Sequence, residues 1–360
     1  MQIGIVGLPF SGKSTLFQTM TRTYIDEATL ARTQTNIATV KVPDSRVDTL
    51  AEYFSPKKLV YASVEFVDVI GLTKGDHGTT QFSNAFLGGV KTNDALIHVV
   101  RMFDDEIHPH LEGSIDPVRD IDILETEFIL SDLAMCENRI EKLRKQVLKL
   151  PDDKSKFELR VLEKCHRTLE EGIPLRSIDL DNHEMLAVKG YRFLSLKPLL
   201  VLLNLDEALL GEGEMLQKRF EEQIRSRRMN IDVFSGKIEM ELACMSDEEA
   251  AEFMKEYGLE ESALKRIIRS AYRMLGLISF LTFSDEECRA WTIRGNTPAH
   301  EAAGAVHTDL MNRFIRAEVV HFDDFVKHGS IQACKEAGAW QLQGKEYVVR
   351  DGDMITVRHG

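Results

Sequence analysis

The chain has 360 residues, 43% apolar and 29% charged. This composition excludes global disorder, and the length exceeds one ordinary domain of roughly 100–200 residues. Its 45 Lys and Arg against 58 Asp and Glu give a formal charge of −13, which argues against coating nucleic acid through bulk charge and leaves only local basic patches for that role. No apolar run approaches about 18 residues, so no membrane span is expected, and no charged segment or cleavage site precedes the first apolar run as in a signal peptide. Five scattered cysteines without a CxxC pair point to reduced thiols, no zinc site and a cytoplasmic setting.

In chain order, Ile3–Val6 reads as a buried parallel strand. Gly7-Leu8-Pro9-Phe10-Ser11-Gly12-Lys13-Ser14 then fits G-x-x-x-x-G-K-[ST] at every position, with helix-forming Thr15–Met20 behind it. Glycines let backbone N–H groups turn inward around phosphates, and the helix N-terminus adds its positive dipole end. Gly7 through Thr15 are therefore the candidate nucleotide-binding stretch. Lys13 would reach the β- and γ-phosphates and assist catalysis, and the Ser14 hydroxyl would bind Mg²⁺. The next strand, Val64–Val67, ends in Asp68, with Gly71 three residues on. That spacing predicts a carboxylate at the magnesium and a flexible amide at the γ-phosphate. Leu72 stands where many GTPases place a water-orienting glutamine; an aliphatic side chain cannot hold a water, so either turnover is slow or another group positions the nucleophile.

Ala95–Val100 reads as a further strand. Asp120 to about Leu150 carries apolar residues at Ile121, Leu124, Phe128, Leu133, Ile140, Leu143 and Val147, which predicts an amphipathic helix ended by Pro151, with a return helix over Lys156–Glu171. Leu199–Leu203 reads as a central strand of the first sheet, so the helical hairpin interrupts an α/β domain. The strand runs into Asn204-Leu205-Asp206-Glu207. Guanine-specific enzymes use N-K-x-D here. With no lysine at Leu205 and a longer carboxylate at Glu207, guanine preference is expected to relax or to reverse towards adenine, with Asn204 available to a purine edge. Ser235-Gly236-Lys237 is placed like the S-A-K loop that closes a base pocket, which makes Ser235 and Gly236 candidate contacts. Asp247–Leu275 is read as helical. The tail shows strand-like pieces at Phe280–Phe283, Ala290–Ile293, Tyr347–Val349 and Met354–Val357, around turns at Gly295-Asn296 and Asp351-Gly352-Asp353.

These residues resemble one family: the YchF-type P-loop ATPases of the Obg branch of translation-linked GTPases. The resemblance rests on Gly4–Pro9, Val42-Pro43-Asp44-Ser45-Arg46, Glu65–Asp68, His98-Val99-Val100-Arg101 and the Asn204…Glu207 substitution. In the tail it rests on Arg289–Thr292, Ala302–Gly304, His307–Asp309, Phe314–Ala317, Lys335–Gly338, Gly344–Tyr347 and Asp351–Asp353. It implies an α/β fold: a Ras-like P-loop G domain (1–119 and 191–277), an inserted helical coiled-coil arm (120–190) and a small α+β, ubiquitin-like TGS domain (278–360). It also implies ATP binding at least as good as GTP binding, slow hydrolysis, ribosome association and links to stress and redox responses. His110 matches the family histidine proposed to assist hydrolysis; a solvated loop histidine is the alternative, and His108 is the poorer candidate. Two places depart from the family pattern. Phe10 replaces the usual Asn and offers no oxygen to a monovalent cation. Switch I leaves either Thr33 or Thr35 to close on Mg²⁺, with Thr35 preferred.

The leading function is thus an ATP-hydrolysing, Mg²⁺-dependent switch, with ATP or GTP and the ribosome, through its RNA or protein, as partners. Neither a membrane nor sequence-specific DNA is expected. The basic stretches Arg139–Lys149 and Arg225–Arg228 are the candidates to meet RNA. Two alternatives stand: a GTP-specific enzyme of the same architecture, and a nucleotide-sensing module whose hydrolysis is incidental.

Overall fold

The computed structural model describes residues 1–21, 36–69 and 83–360. Its strands, in chain order, are β1 (Gln2–Val6), β2 (Asn36–Lys41), β3 (Lys58–Val60), β4 (Ser63–Asp68), β5 (Ala95–Met102), β6 (Leu199–Leu205) and β7 (Asn230–Phe234). They continue with β8 (Leu277–Thr282), β9 (Glu287–Arg294), β10 (Phe314–His321), β11 (Gln341–Gln343) and β12 (Asp353–His359). The chain forms two compact units: Met1–Ala38 with Glu65–Ile267, and Thr39–Val64 with Ile268–Gly360.

The first unit is built on a sheet ordered β2-β4-β1-β5-β6-β7, in which β4, β1, β5, β6 and β7 pair in parallel. Every residue of β6 is buried, as are seven of the eight in β5, which is why both read as unbroken apolar runs. From β1 the chain proceeds to β4 on one side and then to β5 on the other. The strand order therefore reverses at β1, and such switch points open a crevice beyond the C-terminal ends of the strands.

The helical hairpin follows β5. The helix Pro117–Lys149 is N-capped by Asp116, whose side chain accepts from Arg119 N, and carries Pro at its first turn. Asp152 caps the return helix Asp153–Glu170 in the same way. Ile129, Cys136, Ile140 and Leu143 on the first helix pack with Val161, Leu162, Cys165 and Leu169 on the second. The deeply buried Arg176–Glu125 ion pair and Asp132, which accepts from Leu194 N, Ser195 N and Ser195 Oγ, hold the base of the hairpin to the chain re-entering the sheet. Asp132 is raised by burial despite those donors. The stretch Asp247–Leu275, read as one helix, is two: Asp247–Glu256 and Ala263–Met274, parted at Gly258 with φ +67°.

The second unit carries a sheet ordered β11-β10-β12-β8-β9-β3. The helix Ala299–Val306 lays Ala299, Ala302 and Ala303 against Phe280, Phe314 and Val319 of that sheet. Tyr347–Val349, expected as a strand, contributes only an isolated bridge between Val348 and Pro298. β10 was not expected as a strand, because Ile315, Arg316 and Glu318 break its apolar alternation. Both turn signals in the tail hold: Asn296 sits at φ +65° and Gly352 at φ +87°.

Residues 39–64 belong to this unit because their apolar faces have partners there. Val47 and Leu50 on the helix Ser45–Phe54 are fully buried, and Phe54 stacks near Phe283 and Phe325 at 4.7 and 5.5 Å. Arg46 supplies the polar tie: its guanidinium spans Asp44, at 2.7 Å, and Asp351, at 2.9 Å, while Asp351 Oδ1 accepts from Ser279 N. Two sequence motifs 305 residues apart thus form one charged cluster. Arg46→Ala leaves Asp44 and Asp351 without their shared cation, at a cost of about 1–3 kcal/mol. In hydrogen exchange the amides of β8 and β9 should then open faster while those of β1, β5 and β6 keep their protection. Equal exchange in β8 and β9 would show that the apolar contacts alone hold the segment.

Candidate phosphate-binding site

The loop Gly7–Gly12 leaves β1 at the switch point and enters the helix Lys13–Thr21. Two glycines are dictated by their surroundings. Gly7 has φ +150°, and a Cβ there would lie 2.4 Å from Val99 O; Gly12 has φ +97°, and a Cβ would lie 2.2 Å from Asn204 Nδ2. Neither position admits a side chain, so the loop closes tightly round its own centre. Lys13 turns back into that centre and donates from Nζ to Leu8 O at 2.7 Å. Burial pushes its ammonium down to about 8, against the pull of the Asp68 carboxylate. Asp68 ends β4 and is itself raised by burial, with Lys13 opposing. A buried cation with one carboxylate nearby and no closer ion pair is poised to gain from an incoming phosphate.

Asn204, at the end of β6, is buried and committed on both sides. Its Nδ2 donates to Ser11 O at 3.0 Å, and its Oδ1 accepts from Gly236 N at 2.9 Å. It thereby ties the phosphate loop to the loop Ser235–Gly236, where a Cβ on Gly236 would come within 3.3 Å of the Thr15 methyl. Ser235 is buried, and Leu205 points into the core with 2% exposure, away from any role as a surface platform. Glu207, the first residue past Asp206, pairs with Lys237 Nζ at 2.6 Å. In sequence Lys237 is only the third residue of a common tripeptide, and nothing there marks its hold on Glu207 across the two base-side loops.

Ser14 is half-buried at the start of the helix, next to Lys13. Thr33, Thr35, Gly71 and Leu72 lie outside the described residues. Among the described residues no group of three or more His, Cys, Asp or Glu gathers as a metal cage. Ser14 and Asp68 beside an anion cradle are nevertheless a donor set suited to Mg²⁺, which is commonly held by one or two protein oxygens and the phosphates themselves.

The two loop histidines differ. His110 is 7% exposed in its side chain; its Nε2 meets Asp120 Oδ2 at 2.8 Å and its Nδ1 accepts from Glu112 N. It is built into the start of the long helix. His108 instead lies against the exposed Phe10 ring of the phosphate loop, with centroids 4.9 Å apart. Phe10 holds φ +59°, a left-handed conformation uncommon for an aromatic residue, and this turns its ring outward. Arg101, almost wholly buried, secures this loop through Nε to Phe103 O and Nη1 to His108 O, while its Nη2 has no hydrogen-bond partner among the described residues. The motif His98–Arg101 was visible in the sequence, but nothing in it said that the arginine would hold a loop. His98 is buried with both nitrogens unpaired among the described residues, and burial pushes it down to about 3.

The basic stretches expected to meet RNA are substantially neutralised. Arg139 pairs with Glu158, Arg144 with Glu163 and Lys145 with Glu141; Arg227 pairs with Asp122 and Arg228 with Asp179. No helix among the described residues is long and apolar enough to cross a membrane.

Residues 2–154 match the family model described as 50S ribosome-binding GTPase, and residues 277–360 match the C-terminal domain model of YchF GTPases, described as a protein of unknown function. The chain is 40% identical over 357 residues to a Pasteurella multocida protein called ribosome-binding ATPase YchF, covering 99% of this chain and 98% of the relative. It is 37% identical over 359 residues to a Bacillus subtilis protein of the same name, again with 99% and 98% coverage. The solved structure of the Schizosaccharomyces pombe YchF GTPase superposes with a TM-score of 0.87 at 34% identity, covering 99% of this chain and 97% of that one. Similarity of this extent, over both units and the helical hairpin, places the chain in the YchF family.

Proposed function

We propose that this chain is a nucleotide-dependent switch that binds and slowly hydrolyses ATP with Mg²⁺ and acts in association with the ribosome, as the names of its relatives suggest for those proteins. The observation that carries the reading is Lys13, a buried ammonium centred in a loop whose glycines exclude side chains from the space around it. In this reading the Gly7–Ser14 amides and Lys13 hold the triphosphate and stabilise charge as water attacks the γ-phosphorus in line. Ser14 and Asp68 would hold Mg²⁺, with Thr35 and Gly71 closing from the switch segments. When bound, the ion would supply neutralisation of the phosphate charge. The domain division read from the sequence goes with this proposal: a G domain that senses the nucleotide, and an arm and TGS domain that present the state to a partner.

The base side favours ATP. Lys237 already holds Glu207 Oε1, so the carboxylate is a weaker acceptor for the guanine N1–H and N2 amino groups. Direct titration of nucleotide-free protein in Mg²⁺ buffer should show ATP bound at least as tightly as GTP. Lys237→Ala frees the carboxylate, and the ATP-to-GTP affinity ratio should then move towards GTP by about tenfold, the worth of one charge-assisted hydrogen bond. A ratio unchanged by Lys237→Ala would show that other contacts read the base, and a clear GTP preference in the parent protein would overturn the ATP reading.

His110 is proposed as the residue that assists the water, and its geometry sets a condition. It must leave Asp120 to do so. If it does, Asp120→Asn, which weakens that hold, raises single-turnover ATP hydrolysis several-fold, while His110→Ala lowers it by about 10²-fold. If both variants leave the rate within twofold and only lower the unfolding midpoint, His110 is a structural residue of the arm, and a nucleotide-sensing module with incidental hydrolysis becomes the better description.

A further inference from the structure

The phosphate loop, Asp68 and Asn204 all sit at the C-terminal ends of the first unit's strands. The opposite edge, just before β5 and β6, carries a second concavity of about 600 Å³. Its walls are Lys91–Asp94, the helix Asn182–Val188 with the turn that follows it, and Arg192 to Pro198. Lys91 lines this cleft together with Lys189 and Arg192, which lie about a hundred residues further along the chain, and among the described residues none of the three side chains has an ion pair or hydrogen bond. A fourth cation, Lys197, lies beneath them, donating to Lys91 O at 3.1 Å and to Asn93 O. Asp94 is the one carboxylate in the lining, and one of its oxygens already accepts from Gln2 N. The buried Asn93 Oδ1, at the same wall, has no hydrogen-bond partner among the described residues.

Three cations without an ion pair, lining one cleft that holds the single carboxylate Asp94, stand out in a chain of formal charge −13. In the two stretches of this unit that look most basic in sequence, Arg139, Arg144, Lys145, Arg227 and Arg228 are by contrast paired with carboxylates. Like charges held together at one cleft repel one another until an anion arrives, so the site favours a ligand that brings several negative charges at regular spacing. We propose that this cleft is where the chain meets the phosphate backbone of RNA, with Lys91, Lys189 and Arg192 each neutralising a phosphate. The inference rests on the ribosome association proposed above and names the chemistry of that contact. Backbone contacts of this kind are sequence-blind and release condensed counterions, so they weaken steeply with salt. The exposed Met185 and Leu186 form an apolar lip on one wall; a protein partner would instead bury these two.

The test is co-sedimentation of the full chain with purified ribosomes from 50 to 200 mM salt, in the presence of a non-hydrolysable ATP analogue. Lys91→Glu/Lys189→Glu/Arg192→Glu should weaken binding by at least about tenfold, and the corresponding triple alanine variant by less. The slope of log affinity against log salt should fall by about 2–3, since each phosphate neutralised contributes about 0.7–0.9. Affinity for the ATP analogue should stay unchanged, which also checks that the variants fold. Arg144→Glu/Lys145→Glu, on the paired stretch, should stay within twofold of the parent. Undiminished binding by the triple reversal overturns the inference. Weaker binding with an unchanged salt slope, together with loss on Leu186→Ser, overturns RNA as the partner in favour of a protein. If the parent chain does not sediment with ribosomes in any nucleotide state, the ribosome reading fails on its own. The same variants titrated with naked ribosomal RNA then decide the cleft: equal binding by parent and triple reversal overturns it, and selective loss upholds it.

Discussion

The nucleotide end of this molecule depends on one side chain, Asn204. Three chain segments distant in sequence must meet there: the loop after β1, the end of β6 and the turn after β7. A carboxamide is well suited to join them because it offers a donor and an acceptor on one rigid plane. With Nδ2 on Ser11 O and Oδ1 on Gly236 N, Asn204 satisfies two buried backbone groups that would otherwise carry a desolvation cost of about 1–3 kcal/mol each. The same contact accounts for Gly12, since the amide nitrogen stands where a Cβ would have to go. Glycine and asparagine are thus two halves of one steric arrangement.

Around that fixed point the charges are arranged unevenly. Lys13 is buried with its donor on a carbonyl and one carboxylate at a distance, while on the base side Glu207 is neutralised by Lys237. The first arrangement leaves attraction to spare for an anion; the second leaves little for a guanine edge. The segment 103–112 links this end to the helical hairpin. Arg101 and the Phe10–His108 contact hold its beginning, and the His110–Asp120 contact anchors its end to the first turn of the long helix. Phe10 and the first turn of the arm are thus tied to the same short segment, two residues apart, at His108 and His110.

Much of this could be read in the chain. Continuous apolar runs gave β1, β5 and β6 to within two residues at each end, because strands buried on both faces leave no room for alternation. Apolar residues at helical spacing, with Pro151 ending the first helix, gave the hairpin. The phosphate loop was legible because its glycines, lysine and serine fall at fixed spacing within eight residues, between a strand and a helix. What stayed hidden depended on long-range pairing. The sequence shows Arg46 and Asp351 but not that they meet, and it shows Lys237 but not that it takes Glu207. The runs at Arg139–Lys149 and Arg225–Arg228 look basic only because their carboxylate partners lie elsewhere in the chain, whereas Lys91, Lys189 and Arg192 look unremarkable because nothing in sequence brings Lys91 to the other two. β10 was missed because a strand flanked on both sides by partners tolerates charges on its solvent face.

The membership of residues 39–64 in the second unit bears on the order of events during synthesis. Chains generally fold domain by domain as they emerge, but here an early segment has its partners at the far end. The helix Ser45–Phe54 and strand β3 leave the ribosome more than 200 residues ahead of the strands they pack on, and β12, in the interior of that sheet, comes last. Until Asp351 appears, Arg46 has only Asp44 to hold. Closing so long a loop is entropically slow but only modestly costly, because the penalty grows with the logarithm of length. The nascent protein therefore carries an apolar helix face, Val47 and Leu50, whose β9 partner is still unmade, and a translation stop before the tail would leave that face to the chaperones.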